Sequence, residues 1–283
     1  MSLNVLAAGA SRHIGYHTSV RLLEAGATVT FLLRSPEVFD GDEVIQKYVK
    51  DGKAKLFKGD ALVEDDVRSV WAEASKEQPV DLLLFTVGFN GSPSFSLTKG
   101  VQIKPANLAT QCLFNILCGI PKTEPNSSSG SKLKLITLSS IGASRSARAK
   151  LPIHYKMLYG YLIAGPLIDK LGMERVAAHV SGQEWDVQGD GEPDEDIMGP
   201  SWRERQGLPA PGTLESVVIR AGTLNDGECR ADNVEAGRKP YRFVIDKDQV
   251  SGSISRKDVA HFAFDLITKR WDELKNHTVN VAY

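Results

Sequence analysis

Apolar and polar positions along this chain fall into blocks whose period switches repeatedly between strand-like and helix-like. Residues 5–8 (VLAA) form a short apolar run that breaks at Gly9 and resumes as a helical pattern carrying Leu22, Leu23 and Gly26. Residues 27–33 (ATVTFLL) are β-branched and apolar, which predicts a second strand ending at Arg34 and Ser35. The polar stretch 37–50 reads as helix or loop, and 54–58 (AKLFK) as a third strand ending at Gly59, Asp60 and Ala61. Val63, Val67, Val70, Trp71 and Ala74 recur at helical spacing, with Asp65 and Asp66 in a first turn that favours carboxylates. That helix covers the sheet and places Trp71 in the core.

Residues 80–85 (VDLLLF) are a near-continuous apolar run, as a central parallel strand buried on both faces requires, and they lead into Thr86, Val87 and Gly88. A glycine at that end permits close approach of a ligand to the backbone. Residues 105–120 read as a helix with Leu108, Cys112, Asn115 and Ile116 near one face, closed by Pro121. A polar loop at 121–131 (PKTEPNSSSGS) precedes a fifth strand at 132–139 (KLKLITLS), which runs into Ser140, Ile141 and Gly142. Five strand-helix alternations in order predict an α/β protein built on a doubly wound parallel sheet.

The second half is less regular. A helix is expected over 158–180, with Leu167, Leu171, Val176 and His179, and a strand at 217–220. Ser255 and Asp258 cap a helix carrying Val259, Ala263, Leu266 and Ile267, and 278–281 is the expected last strand. Between them, 187–216 (VQGDGEPDEDIMGPSWRERQGLPAPGTLES) breaks all periodicity. Its length exceeds the ~15 residues of ordinary loops, so it is either functional or disordered. No internal repeat is present, and 1–283 reads as a single domain with 187–216 as a long insertion.

Composition narrows the partners. With 34 basic and 35 acidic residues, nothing favours nucleic acid or an anionic membrane surface, and a small molecule is the expected partner. Cys112, Cys118 and Cys229 have no metal-type spacing, and the first two fall in an apolar helical stretch that suits buried free thiols. No apolar run approaches the ~20 residues of a membrane span. The N-terminus lacks a basic region and a cleavage site, so a soluble, cytoplasmic monomer or weak homo-oligomer is expected.

A strand feeding a glycine turn and then a helix N-terminus is an anion-binding device, because unpaired backbone N–H groups and the helix dipole face the turn. Gly9 supplies the tight turn and Gly15 lets the helix pack on the sheet, but the middle glycine of a dinucleotide fingerprint is absent. Arg12 or His13 stands there, depending on the spacing. Arg34 occupies the strand end where an NAD-binding chain places an acid for the ribose hydroxyls. An arginine there suits a 2′-phosphate, and Arg12 is within range of the same group; the alternative is a solvated strand-end arginine. Asp60 suits either an adenine amine or a turn.

In order and spacing, 9–15 (GASRHIG), the Arg34 strand end, 59–61 (GDA), 86–88 (TVG), Ser139-Ser140, Asp169-Lys170 with Glu174, 220–224 (RAGTL) and 255–260 (SRKDVA) resemble the short-chain dehydrogenase/reductase superfamily. Within it, the chain is similar to the atypical, NmrA-like NAD(P)-binding group, which includes isoflavone-reductase-like and biliverdin-reductase-B-like proteins. The resemblance covers most of the chain. It implies a Rossmann fold holding NADP(H), with a small C-terminal substrate region mostly within 151–283. Nucleotide contacts are then expected from Gly9, Ser11, Arg12, His13, Ile14 and Gly15 at the first turn, and from Arg34, Ser35, Asp60 and Ala61 at the next two strand ends. Thr86, Val87, Gly88, Ser139, Lys170, Ala221, Gly222 and Thr223 complete the expected set.

The superfamily polarises a carbonyl with a serine after the fifth strand, a tyrosine acid and a lysine four residues later. Ser140 matches the serine, Ser139 in the other register, and Lys170 matches the lysine, but Pro166 stands where the tyrosine belongs. At the shorter spacing Tyr155 aligns as the acid, and Tyr159 then takes the lysine position. Tyr155, Tyr159 and Tyr161 equally suit a core or pocket wall, and His154 a turn. Lys170 has its own alternative, a surface pair with Glu174 at i, i+4. Isoflavone-reductase-like relatives work with the lysine and no tyrosine.

The expectation is therefore an NADPH-dependent reductase delivering hydride to a small apolar carbonyl, enone, quinone or flavin-like acceptor. A non-catalytic, NADP-sensing regulator and a non-redox isomerase or lyase are the alternatives. The insertion 187–216 is expected to be a lid over the pocket, with Trp202 anchored at its rim and Ile197, Met198 and Leu208 able to pack.

Overall fold

Strand β1 (Asn4–Ala8) is buried along its whole length because it lies between β2 (Thr28–Leu33) and β4 (Leu82–Phe85), with helices on both faces of the sheet. The computed structural model describes residues 3–88, 94–96, 100–122, 132–150, 163–234, 239–246 and 252–283. Beyond β2 lies β3 (Ala54–Lys58); beyond β4 come β7 (Lys134–Ser140), β8 (Glu215–Ala221), β12 (His277–Ala282) and β10 (Arg242–Ile245). All neighbours in this eight-stranded sheet are parallel except β10 on β12. Two short pairs stand apart from it, β5 (Ser94–Ser96) with β6 (Gly100–Gln102) and β9 (Thr223–Asn225) with β11 (Ser253–Ser255). The chain winds from β1 outward through β2 and β3, then restarts on the other side at β4. Parallel sheets open a ligand crevice at the carboxyl end of such a switch point.

One sheet face packs on α1 (His13–Glu24) and α8 (Arg256–Lys269), whose inward residues include Leu22, Leu23, Val259 and Leu266. The other packs on α3 (Glu64–Ala74), α4 (Leu108–Cys118) and α6 (Ala164–Ser181). Trp71 is fully enclosed there, and its indole N–H donates to Ile116 O at 2.8 Å. Short helices α2 (Glu43–Lys50), α5 (Arg145–Lys150), α7 (Glu195–Met198) and α9 (Trp271–Leu274) complete the set among the described residues. Ser255 caps α8 as its spacing with Asp258 predicts, accepting from Asp258 N at 3.0 Å.

Boundaries move where side chains claim backbone groups. The fourth strand starts at Leu82 rather than at residue 80, and the Asp81 carboxylate accepts from Asn4 N at 2.8 Å. The helix expected over 105–120 is limited to 108–118, and that expected over 158–180 is described from Ala164 to Ser181, residues 158–162 lying outside the described set. Cys112 is buried as expected, whereas Cys118 at the helix end is half-buried. No described helix is long and apolar enough to cross a membrane.

The apolar residues of the insertion pack on the helices of one sheet face. Ile197, Met198, Trp202 and Leu208 join the apolar cluster of α4 and α6. The Trp202 ring lies 5.8 Å from Phe114 and 5.1 Å edge-on from His179, so the lone tryptophan is committed to the outer face of this helix pair. Farther on, a side chain at Gly207 (φ +87°) would press on Cys118 O. The segment lacks periodicity because it packs as an irregular third layer, one apolar side chain at a time.

Candidate functional site

At the switch point the glycine turn is locked by the strand beside it. Gly9 has φ +79°, and a Cβ there would collide with the backbone of Thr86 and Val87; one at Gly15 would collide with Thr86 Oγ1. Thr86 in turn donates its backbone N–H to Ala8 O at 2.9 Å. Of the two residues at the middle of the turn, His13 has φ +55°, in the left-handed region that favours glycine, while Arg12 is extended. Arg12 is extended and exposed, Ser11 and Ile14 flank the turn, and no acid lies in the first turn of α1. Arg12 makes no side-chain cap hydrogen bond, and the first N–H groups of a helix have no partners within it.

Arg34 and Ser35 are both exposed just past the end of β2. The 59–61 turn is held from several sides. Gly59 N donates to Leu33 O at 2.8 Å, Asp60 N to Asp66 Oδ2 at 2.8 Å, and Leu62 N to Asp60 Oδ1 at 2.9 Å. Asp60 therefore does act as a turn residue.

The lysine is the least ordinary group. Lys170 Nζ donates to Val87 O at 2.8 Å and to Leu138 O at 2.7 Å, bridging the ends of β4 and β7 beside Gly88. Burial pushes its pKa down to about 8, against the opposing pull of Asp169 and Glu174. Surface pairing with Glu174 is overturned: Glu174, 1% exposed, accepts from Arg220 at 2.6 Å, and Asp190 of the insertion accepts from the same guanidinium at 2.7 Å. Those carboxylates hold the Arg220 pKa above the arginine range in spite of burial. Asp169 turns the opposite way, accepting from Ala109 N and Thr110 N at 2.8 and 2.9 Å and so capping α4 from a neighbouring helix. Desolvation raises its pKa against those hydrogen bonds.

Ser140 closes β7 and is half-buried, paired in register with Ala221. Ser139 aligns with Arg220 on the other face, buried, and its hydroxyl has no hydrogen-bond partner. Ala221 is 2% exposed, and Gly222 is bare because a Cβ would strike Gly252 O; Thr223 N donates to that same oxygen at 2.9 Å. Pro166 sits in the first turn of α6. Tyr155, Tyr159, Tyr161 and His154 lie outside the described residues.

The structure thus brings Gly9–Gly15, Thr86–Gly88, Lys170 and the Ser139–Ser140 strand end to one edge of the sheet. The cap by Asp169, the Arg220–Glu174–Asp190 cluster and the contacts of Arg205 described below are absent from the sequence reading. An arginine inside an otherwise apolar strand and an amide inside an apolar helix are the signals that point to them.

No protein-family model and no curated protein matches the chain in sequence. Solved structures do match in shape. A short-chain dehydrogenase from Burkholderia cenocepacia J2315 in complex with NADP has TM-score 0.60 at 12% identity, over 99% of this chain and 96% of that one. An NADPH-bound carbonyl reductase from chicken fatty liver has TM-score 0.60 at 14% identity, over 99% and 97%. A blue fluorescent protein from a metagenomic library in complex with NADPH has TM-score 0.59 at 16% identity, over 98% and 95%. At these identities the likeness is one of fold, and the chain has the α/β Rossmann-like fold of these proteins.

Proposed function

We propose that this protein is an NADP(H)-dependent reductase of the atypical, NmrA-like short-chain type, acting on a small apolar carbonyl, enone, quinone or flavin-like acceptor. The dinucleotide is expected over the 9–15 turn, with adenine toward Asp60 and Ala61, the 2′-phosphate toward Arg34 and Arg12, and nicotinamide toward Ser140, Lys170 and Gly222. The residues fit that group. Gly9 and Gly15 bring the turn against the end of β4 with no side chain between, and Arg12 at the start of α1 and Arg34 past the end of β2 are both exposed. The three structures named above hold NADP or NADPH, which adds support.

The observation that carries the reading is the placement of Lys170 at the ends of β4 and β7 with its pKa near 8. The dinucleotide, when bound, supplies the hydride. Lys170 Nζ holds a proton that can leave near neutral pH, and in this reading it donates to the substrate oxygen as charge develops there. The hydroxyl of Ser140 orients the same oxygen. NADPH oxidation against quinones, enones, flavins and aldehydes tests the proposal. Turnover with one class, lost in Lys170→Met, is expected. Tight NADPH binding without turnover on any of them favours the second reading, a non-catalytic NADP-responsive regulator. Pro166 at the tyrosine position speaks for that reading.

A further inference from the structure

We propose that Arg205 is a positioning residue for the adenine half of the nucleotide site, acting through Asn115 on the 59–61 turn. This inference rests on the nucleotide-binding reading above.

Asn115 is 3% exposed on α4, between Phe114 and Ile116, where a lone amide has to be satisfied. Its Nδ2 donates to Ala61 O at 3.0 Å, tying α4 to the turn that follows β3. A carboxamide is nearly symmetric in shape, so its orientation is decided by partners alone. Were it reversed, Asn115 Oδ1 would face Ala61 O, acceptor against acceptor. Arg205 opposes that reversal together with Gln111, whose Nε2 donates to the same Oδ1 at 2.8 Å. Arg205 Nη2 donates to Asn115 Oδ1 at 2.6 Å, and a guanidinium has no acceptor with which to tolerate the other orientation. Gln111, one turn earlier on α4, lies within hydrogen-bond reach of both groups.

The insertion delivers this arginine and keeps it in place. Trp202, three residues earlier, is fixed against Phe114 and His179, and Gly207, two residues later, lies against Cys118 O. The guanidinium carbon stands 5.3 Å from the Phe114 ring centre, and Nη2 also reaches Glu64 at 3.4 Å, in the first turn of α3. One planar cation therefore joins the insertion, α4 and the start of α3. The Ala61 carbonyl is fixed by a path that begins more than a hundred residues away in the chain, and the insertion acts as a brace.

Calorimetric titration with adenosine 2′,5′-bisphosphate and, separately, with nicotinamide mononucleotide tests this in the wild type, Arg205→Met and Asn115→Ala. Arg205→Met is expected to weaken the bisphosphate about fivefold to tenfold, as loss of one charge-assisted hydrogen bond implies. Nicotinamide mononucleotide should change less than about twofold, since its half of the site lies across the sheet. In the Asn115→Ala background the arginine substitution should add little, the signature of two residues on one path. Arg205→Gln gives the same readings if Arg205→Met does not fold. Equal bisphosphate affinity in wild type and arginine variants overturns the positioning role while leaving nucleotide binding intact. A wild-type protein that binds neither the bisphosphate nor NADPH overturns both.

Discussion

Lys170 Nζ donates to Val87 O at 2.8 Å, so this lysine is held by main chain rather than by a carboxylate. Among the described residues no carboxylate is in contact with its charge, and burial depresses its pKa to about 8. The unfolded chain keeps the proton up to about 10.4, so between these values the unfolded state binds more protons and stability rises with pH. Below pH 8 both states are protonated and the effect is flat. Urea melts of wild type and Lys170→Met at several pH values should therefore show the wild type gaining relative to the variant from about pH 8 to 10. A difference independent of pH would mean that the amine is not desolvated. Lys170→Met is also expected to lower turnover by a factor of about 100 or more, in the range of a lost proton donor.

Arg34 sets cofactor choice if the 2′-phosphate lies where its exposed side chain stands. Arg34→Glu should reduce the preference for NADP(H) over NAD(H) at least tenfold, about 1.4 kcal/mol. Calorimetry with both dinucleotides reads this directly, and an unchanged ratio removes Arg34 from the site.

His13 holds a left-handed backbone (φ +55°) on behalf of a missing glycine. His13→Gly should be neutral or stabilising by up to about 1 kcal/mol, because relieved strain competes with added freedom in the unfolded chain. His13→Val should destabilise by about 1–2 kcal/mol, since a β-branched residue is strained there. Denaturant midpoints of the two variants should move in opposite directions or differ clearly in size.

Arg220 and Glu174 are a buried pair, 4% and 1% exposed. Arg220→Leu strands the buried Glu174 carboxylate and should cost about 3–5 kcal/mol, whereas Glu174→Leu leaves Arg220 paired with Asp190 and should cost less. Adding Glu174→Leu to Arg220→Leu should recover part of the loss, because it removes the stranded buried carboxylate and leaves only the partly exposed Asp190 without its guanidinium. A chemical-denaturation cycle of the four proteins measures the coupling.

Trp202 fixes the insertion to α4 and α6. Trp202→Ala should cost about 3–5 kcal/mol, as for other buried aromatic truncations, and should loosen 187–214 to proteases. Cleavage in the wild type should respond little to ligand. Strong protection by NADPH with an acceptor would restore the lid.

The strands of the main sheet were legible where burial on both faces leaves continuous apolar runs, as in 82–85 and 27–33. The glycine turn was legible because β1 and β4 approach too closely for a Cβ. β9, β10 and β11 were not, since three or four residues carry no period. The partners of Lys170 are carbonyl oxygens, which every residue possesses and no composition reveals. Glu174 found Arg220 across the core rather than the lysine one turn away, a choice made by tertiary packing. Asn115 was visible as a polar position on a helix face, but its partner Arg205 lies in a stretch where periodicity fails.

The sheet order has a consequence for the growing chain. In the eight-stranded sheet β10 pairs with β12 alone, and β12 lies between β8 and β10 although it follows both in sequence. During synthesis β10 thus leaves the ribosome as an orphan, and β8 waits with one edge open, until 277–282 arrives. Clipping the chain just before His277 forfeits two strands at once and bares the main-chain groups of β8 from Val217 to Ala221, an invitation to edge-to-edge association. Folding of this half of the molecule is in that sense retrospective, its correctness checked by the arrival of its final strand.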